Sequence, residues 1–294
     1  MNSINETNSM PPGLDAPQLN WSQDDFEQRL GFKGGRYTDV NRFLAFLMGV
    51  ILTLIFYLFV IYVLRSSTNA VAKDIAGMFL NHGWVPGVTT LIFLWALAIL
   101  FVKTRKLAFQ RKALELAAVP QQPDFVLNPT SAKAVLERIY SLVDNTSHFL
   151  LLNRIERALS NLQNIGRISD VSDILRTQAQ YDEEHQSSTY TIINGFTWSI
   201  PVLGFIGTVI GLSEALGKFG KVLESSGDLG ALRDSLKGVT AGLATGFETT
   251  LLALLFALII QLMVVFMQKK EYGFLDECND YCHAHVVSKL RLEH

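Results

Sequence analysis

Residues 197–217 read TWSIPVLGFIGTVIGLSEALG, an apolar run interrupted by Pro201, Gly204, Gly207, Thr208 and Gly211. A helix that only anchors a chain in lipid needs none of these five. At about 3.6 residues per turn, Pro201, Gly204, Thr208 and Gly211 share one face, with Gly207 beside them. Small residues let helix backbones approach closely in a bilayer, where packing and interhelical hydrogen bonds replace the hydrophobic drive. Proline removes a backbone hydrogen bond and frees a carbonyl, which is tolerated where protein or water covers it. This face is therefore predicted to meet protein or water and not lipid.

A second stretch answers the first. KGVTAGLATGFETTLLALLFALIIQL, from Lys237, places Gly238, Gly242 and Gly246 at four-residue intervals, a small-residue seam. Thr245, Glu248, Thr249 and Leu252 follow as a stripe at helical spacing. A carboxylate facing lipid is expensive, so Glu248 is predicted to face the interior, a cavity or a partner. Packing alone accounts for glycines and threonines one by one; together with Glu248 they point to a polar path.

Around this pair the chain reads as an all-α integral membrane protein. Its 294 residues are 49% hydrophobic, with a formal net charge of −2, and the mean hydropathy of +0.25 suits membrane spans joined to sizeable aqueous parts. Near-neutral charge gives no nucleic-acid footprint, and two cysteines give no disulfide framework. Four apolar stretches are long enough to span or nearly span a bilayer core: Phe43–Leu64, Trp84–Val102, Ile192–Leu212 and about Gly238–Met267. The fourth exceeds a simple span, which predicts tilt or extension beyond the lipid.

Arg29, Lys33, Arg36 and Arg42 precede the first span, KTRKLAFQRK follows the second and QKK follows the fourth, while the loop between spans one and two carries only Arg65 and Lys73. Positive charge marks the inner side, so both termini and the long middle segment are expected in the cytoplasm. The acidic YDEEH before the third span runs against this, but acids weigh little in the rule.

The segmentation that follows is a flexible N-terminal arm at 1–41, a first helix pair at 42–102, a cytoplasmic helical segment at 103–190, a channel-like pair at 191–268 and a C-terminal helix at 269–291. LEH at 292–294 reads as a tag remnant. Trp21–Phe32 is predicted to form a short amphipathic helix stopped by GFKGG. In the middle segment Ser131 is the expected N-cap of a helix over Ala134–Leu142. A further helix is expected over His148–Leu162, with Leu151, Leu152, Ile155, Leu159 and Leu162 on one face, and another over Ile168–Tyr190 running into the third span. This segment reads as a solvated stalk, with a docking surface for a cytoplasmic partner as the alternative.

IPVLGFIGTVIGL followed by GLATGFETTLLALLFALIIQL resembles the MotA/TolQ/ExbB family of ion-channel subunits, over roughly Tyr190 to Lys270. The resemblance implies a ring, a pentamer, around two copies of a single-span partner of the MotB/TolR/ExbD type. That partner's membrane aspartate takes up and releases the ion, and the assembly works in the bacterial inner membrane, turning ion flow into rotation and work at the cell envelope. It implies that Thr208 and Thr245 line the pathway, with Glu248 and Thr249 counted in it, and that Pro201 is the family's proline in the inner half of its helix. Glu248 either tunes the pathway or pairs with a threonine hydroxyl. Two spans before the cytoplasmic segment match the MotA type, whereas the IPVLGFIGT wording is closer to TolQ and ExbB, so the powered process stays open. Sodium-using relatives tend to carry a second hydroxyl before the second threonine. Ala244 stands there, which favours protons, while Thr249 and Thr250 keep sodium in play.

The tail DECNDYCHAHVV puts Cys278, Cys282 and His285 on one helical face, weak candidates for zinc, with packing between helices as the alternative. His82, His148 and His185 are scattered and read as surface residues. No nucleophile arrangement, phosphate loop or HExxH helix points to an enzyme, and no cofactor is expected. The competing class is a non-conducting tetraspan scaffold or assembly protein.

Overall fold

A computed structural model describes residues 19–122, 124–160, 162, 168–224 and 229–291. Its elements are α-helices with two 3-10 turns, and extended pairing among the described residues is limited to two isolated bridges, Leu19 with Val143 and Leu127 with Leu290. Helix α1 is Trp21–Asp24, α2 Phe26–Arg29, α3 Arg42–Ser66, α4 Ala70–Leu80 and α5 Val85–Glu115. They are followed by α6 Pro129–Leu142, α7 Leu150–Ser160, α8 Ile168–Thr189, α9 Thr191–Glu224 and α10 Leu229–His285. Four of these are long and apolar enough to cross a membrane: α3, α5, the rod formed by α8 and α9, and α10. The protein is a multi-pass membrane protein.

Asn41 caps α3, its side chain accepting from the amides of Phe43 and Leu44. Beyond the cap α3 is apolar on every side, with Leu54, Leu58, Phe59 and Tyr62 exposed, as suits a lipid-facing helix. One point of α3 is pressed to protein. A Cβ on Gly49 would come within 2.8 Å of the Trp95 Cα, so only glycine lets α3 and α5 touch there. Pro86 sits in the first turn of α5, where its missing N–H costs nothing. Helix α5 is the inner member of the first pair, with Ala96, Ala98, Ile99 and Leu100 buried against its neighbours. At 57 residues α10 is about 85 Å long, nearly three times a bilayer core, so it continues well past Met267.

Helix α4 has no counterpart in the sequence reading, which left a loop between the first two spans. Asn69 caps it, and Ala76, Gly77 and Phe79 turn inward, Phe79 meeting the ring of Phe56 at 5.0 Å. Helix α6 starts earlier than expected. Asn128, not Ser131, is the N-cap, and Ser131 completes a capping box by accepting from the Asn128 amide.

The expected N-terminal arm is a docked segment over residues 19–41. A single helix over Trp21–Phe32 is replaced by α1 and α2, split at the extended Asp25 and ended by Gly31 at φ +80°. Trp21 is 1% exposed and packs against Phe109, Phe149 and the face of His148. Glu27 is buried beside Lys106 at 2.5 Å and accepts from the amides of Gly35 and Asn41. An indole and a paired carboxylate inside the core are incompatible with a free arm.

The middle segment, residues 103–190, is likewise more than a solvated stalk. Leu150 to Ile155 are all buried, including Arg154, whose Nε donates to Asp182 at 2.6 Å and whose Nη1 donates to Asn279. Lys103 donates to Glu271 at 2.9 Å, Tyr190 donates to the other oxygen of Glu271, and all three are buried. This cluster clamps α5, the start of α9 and α10 where the apolar spans give way to the aqueous part. The two tail cysteines belong to the same packing. Cys278 and Cys282 are free and buried, His285 lies against Tyr281, and no group of potential metal ligands forms among the described residues.

Two titratable groups hold the docked N-terminal segment. Asp144 accepts from the amides of Trp21 and Ser22 and from the Ser22 hydroxyl. Burial works against its charge, but these hydrogen bonds together outweigh it and hold the carboxyl below the usual range. Burial under Trp21 pushes the His148 imidazole below its usual value. In both cases the folded state binds fewer protons than the unfolded chain on the acid side. Stability is therefore lost first as pH falls below the ordinary histidine value, then again as it falls through the carboxylate range. Limited proteolysis between residues 19 and 41 is expected to accelerate as pH drops from about 8 to about 4. Asp144→Asn is expected to show part of that acceleration already at neutral pH.

Candidate functional site

The glycines and threonines of the two motifs meet along the seam between α9 and α10, antiparallel and in four-residue steps. A Cβ on Gly204 would stand 2.5 Å from the Cβ of Ala253. One on Gly246 would stand 3.1 Å from the Thr208 Cα, and one on Gly242 would stand 2.5 Å from the Ala215 Cβ. Gly211 faces the Gly242 carbonyl, and Gly207 faces Thr249 and Val85. The small residues are thus the condition for contact between the two backbones. Gly238 is the exception. Nothing lies within 4 Å of its would-be Cβ, so the seam ends at Gly242.

The difference gives a direct test. Gly204→Ala is expected to cost about 1–3 kcal/mol through overpacking. Gly238→Ala should be neutral or stabilising by up to about 1 kcal/mol through helix propensity. Thermal unfolding of the two variants in detergent checks the contrast.

Thr208 sits at the centre of the seam. Its hydroxyl lies 2.9 Å from the Gly246 carbonyl on α10 and within hydrogen-bond reach of the Thr250 hydroxyl. Thr250 in turn donates to the Gly204 carbonyl at 2.9 Å, and Thr249, buried, donates to the Gly246 carbonyl at 2.9 Å. Three hydroxyls and two carbonyls are collected inside an otherwise apolar helix pair. Hydroxyls both donate and accept, so such a cluster can pass hydrogen bonds to water or surround a small cation with oxygens.

The threonine that meets Thr208 is Thr250, not Thr245. Thr245 points its hydroxyl to the Ala241 carbonyl of its own helix at 3.0 Å. It lines a separate open cavity of about 420 Å³ at the end of the seam, together with Gly207, Gly211, His82 and Glu214. Among the described residues Glu248 does not bond a threonine. Its carboxylate is 2.7 Å from Nε2 of His82, in the turn before α5, and the His82 side chain is 9% exposed. His82 was read as a surface residue, and nothing in its local sequence gives away the contact. His148 and His185 depart from that reading too: one is stacked under Trp21 and the other packs edge-on to Tyr37. Pro201 lies inside α9, below the cluster by about two turns.

The apolar surface left over is concentrated on the same helices. Phe205, Val209 and Leu216 of α9 and Phe247, Leu251, Leu254 and Leu258 of α10 are exposed. With the polar cluster turned into the seam, these faces are available to lipid or to another membrane helix.

Residues 150–278 match the model described as the MotA/TolQ/ExbB proton channel family. The match takes in α7, α8 and α9 and most of α10, reaching well beyond the two motifs, and leaves α3, α4 and α5 outside. No curated protein and no solved structure matches the chain.

Proposed function

We propose, from the match of residues 150–278 to the MotA/TolQ/ExbB proton channel family, that the chain is the ion-conducting ring subunit of a membrane motor. In this reading several copies, a pentamer, surround a dimer of a single-span partner of the MotB/TolR/ExbD type that carries a membrane aspartate. The ring sits in a bacterial inner membrane with both termini in the cytoplasm, and ion flow drives rotation and work at the cell envelope. The observation that carries the proposal is the oxygen cluster of Thr208, Thr250, Gly204 and Gly246, set inside apolar helices within the matched residues. The exposed apolar faces of α9 and α10 supply surface for ring and partner contacts.

The ion is proposed to be the proton, with sodium as the alternative. Ala244 beside Thr245 favoured the proton. The hydroxyl at the seam is that of Thr250, however, and the residue before it is Thr249, so oxygens for a sodium ion are at hand. Flux that requires sodium at fixed pH overturns the proton assignment.

One observation favours a non-conducting scaffold instead: the hydroxyls of Thr208 and Thr250 are spent on carbonyls of the facing helix, as interhelical glue would be. Native mass in mild detergent separates the readings at the level of assembly. A homogeneous pentamer that takes up a single-span partner supports the motor, and a monomer or dimer that ignores that partner overturns it.

A further inference from the structure

Where α5 leaves its apolar span near Val102, one face carries Phe101, Arg105, Ala108 and Lys112 in helical steps. The docked N-terminal segment lies opposite. Between the two is an open cavity of about 440 Å³, walled by these four residues together with Phe26 and Arg29. One end of the cavity is apolar: Phe26 stands edge-on to Phe101, which is 47% exposed. The other end is cationic. Arg105 lies over the Phe101 ring at 5.4 Å and Lys112 over the Phe109 ring at 5.8 Å. Both cations are exposed, and neither forms an ion pair among the described residues. The acids of the same region are matched elsewhere. Asp24 pairs with Arg29 at 3.4 Å, and the buried Asp25 and Glu27 stand 4.0 and 2.5 Å from the buried Lys106.

The cavity sits at the membrane boundary. Arg105 follows Phe101 by one turn, about 6 Å along the helix, and the polar layer of a bilayer is about 5–8 Å deep on each side. Lys112 is further out, on a side chain long enough to reach back. The docked segment follows the same boundary, since Leu30 is exposed and Phe32 meets the ring of Phe43 at the start of α3. A soluble anion would use the cationic end and leave Phe26 and Phe101 bare. A phospholipid matches both ends, and one with an anionic headgroup brings no cation of its own against Arg105 and Lys112.

We propose that this cavity seats an anionic phospholipid, its phosphate between Arg105 and Lys112 and an acyl chain against Phe26 and Phe101. The inference rests on the membrane spans and not on the ion-conducting reading, so either can fail without the other.

The full chain, purified in a mild non-ionic detergent, is titrated with dioleoyl phosphatidylglycerol, and the thermal unfolding midpoint is read at each lipid concentration. A saturable rise is expected, because a ligand bound only by the folded state stabilises it. Dioleoyl phosphatidylcholine, with the same chains, and inorganic phosphate at matched ionic strength should give no comparable rise. Arg105→Gln/Lys112→Gln should raise the half-saturating concentration at least about tenfold, since each cation near a membrane surface strengthens the attraction for anionic lipid about fivefold. Lys269→Gln/Lys270→Gln removes two exposed charges at the same boundary, beside the Lys103–Glu271 pair and outside the cavity. It should shift that concentration less than about twofold, because exposed charges act through screening salt. Equal losses in the two double variants would reduce the effect to diffuse surface charge and overturn the seat. So would no response to phosphatidylglycerol, a full response to phosphatidylcholine or to phosphate alone, or no loss in Arg105→Gln/Lys112→Gln. Should that variant fail to fold, Ala108→Trp decides: it fills the cavity, keeps every charge and must show the same loss. Unchanged binding in Ala108→Trp overturns the proposal.

Discussion

Thr208→Val is expected to lower ion flux about five- to tenfold while leaving the helix pair assembled. Valine keeps the branched shape, so the close contact with Gly246 survives. What disappears is the hydroxyl that donates to the Gly246 carbonyl beside Thr250. Thr250 retains its own bond to Gly204, so the fold loses about one hydrogen bond, on the order of 1 kcal/mol. The same loss on the barrier to ion passage amounts to about a factor of five to ten, and more where the site is dry. Flux measured in proteoliposomes holding the chain and its partner, alongside the native mass of the variant, separates the two effects. Unchanged flux in a properly assembled variant removes Thr208 from the pathway and leaves the scaffold reading in front. Thr245→Val is expected to matter less, because its hydroxyl is turned to its own helix.

The largest stability effect is expected at Glu271. Its carboxylate receives both the ammonium of Lys103 and the hydroxyl of Tyr190, and all three groups are out of water. Glu271→Gln keeps the size and removes the charge, leaving Lys103 a buried cation without its ion-pair partner, beside the neutral amide oxygen and the Thr38 hydroxyl at 3.5 Å. Breaking one side of a buried pair costs about 3–5 kcal/mol. The expected result is a markedly lower unfolding temperature and earlier proteolysis at the junction of α5, α9 and α10. The double variant Lys103→Met/Glu271→Gln should recover much of the loss, since the stranded charge is then gone. A double variant as unstable as the single one would show that packing, and not the charge, sets the stability there.

The four spans, the small-residue seam and the placing of Thr208 within it are legible in the residues. Each depends on local features, a run of apolar side chains or a four-residue spacing, that a helix converts into geometry without further help. The family resemblance carried by the two motifs has the same origin, and the match over residues 150–278 bears it out. The partner of Thr208 was not legible in this way. Thr245 and Thr250 lie about 140° apart around α10, and both are threonines in an apolar setting. Which of them faces α9 depends on how Gly204 settles against Ala253 and Gly246 against Thr208, a choice made by backbone approach across two helices.

The polar contacts outside the seam show the same limit. Glu248 was recognisable as a carboxylate in need of a partner, because the cost of burying it is a property of the residue. That the partner is His82 depends on the fold of the α4–α5 turn, which brings together residues remote in the chain. The first 41 residues looked like an arm because their composition is polar and rich in turn formers. Residues 19–41 dock because Trp21, Glu27 and Tyr37 find Phe149, Lys106 and His185 waiting. The sequence by itself determined an all-helical membrane chain with four spans, since periodicity and hydropathy act locally. Only the tertiary structure decided which hydroxyls meet, which charges pair and which segments are held, since those outcomes depend on distances between elements that no local pattern encodes.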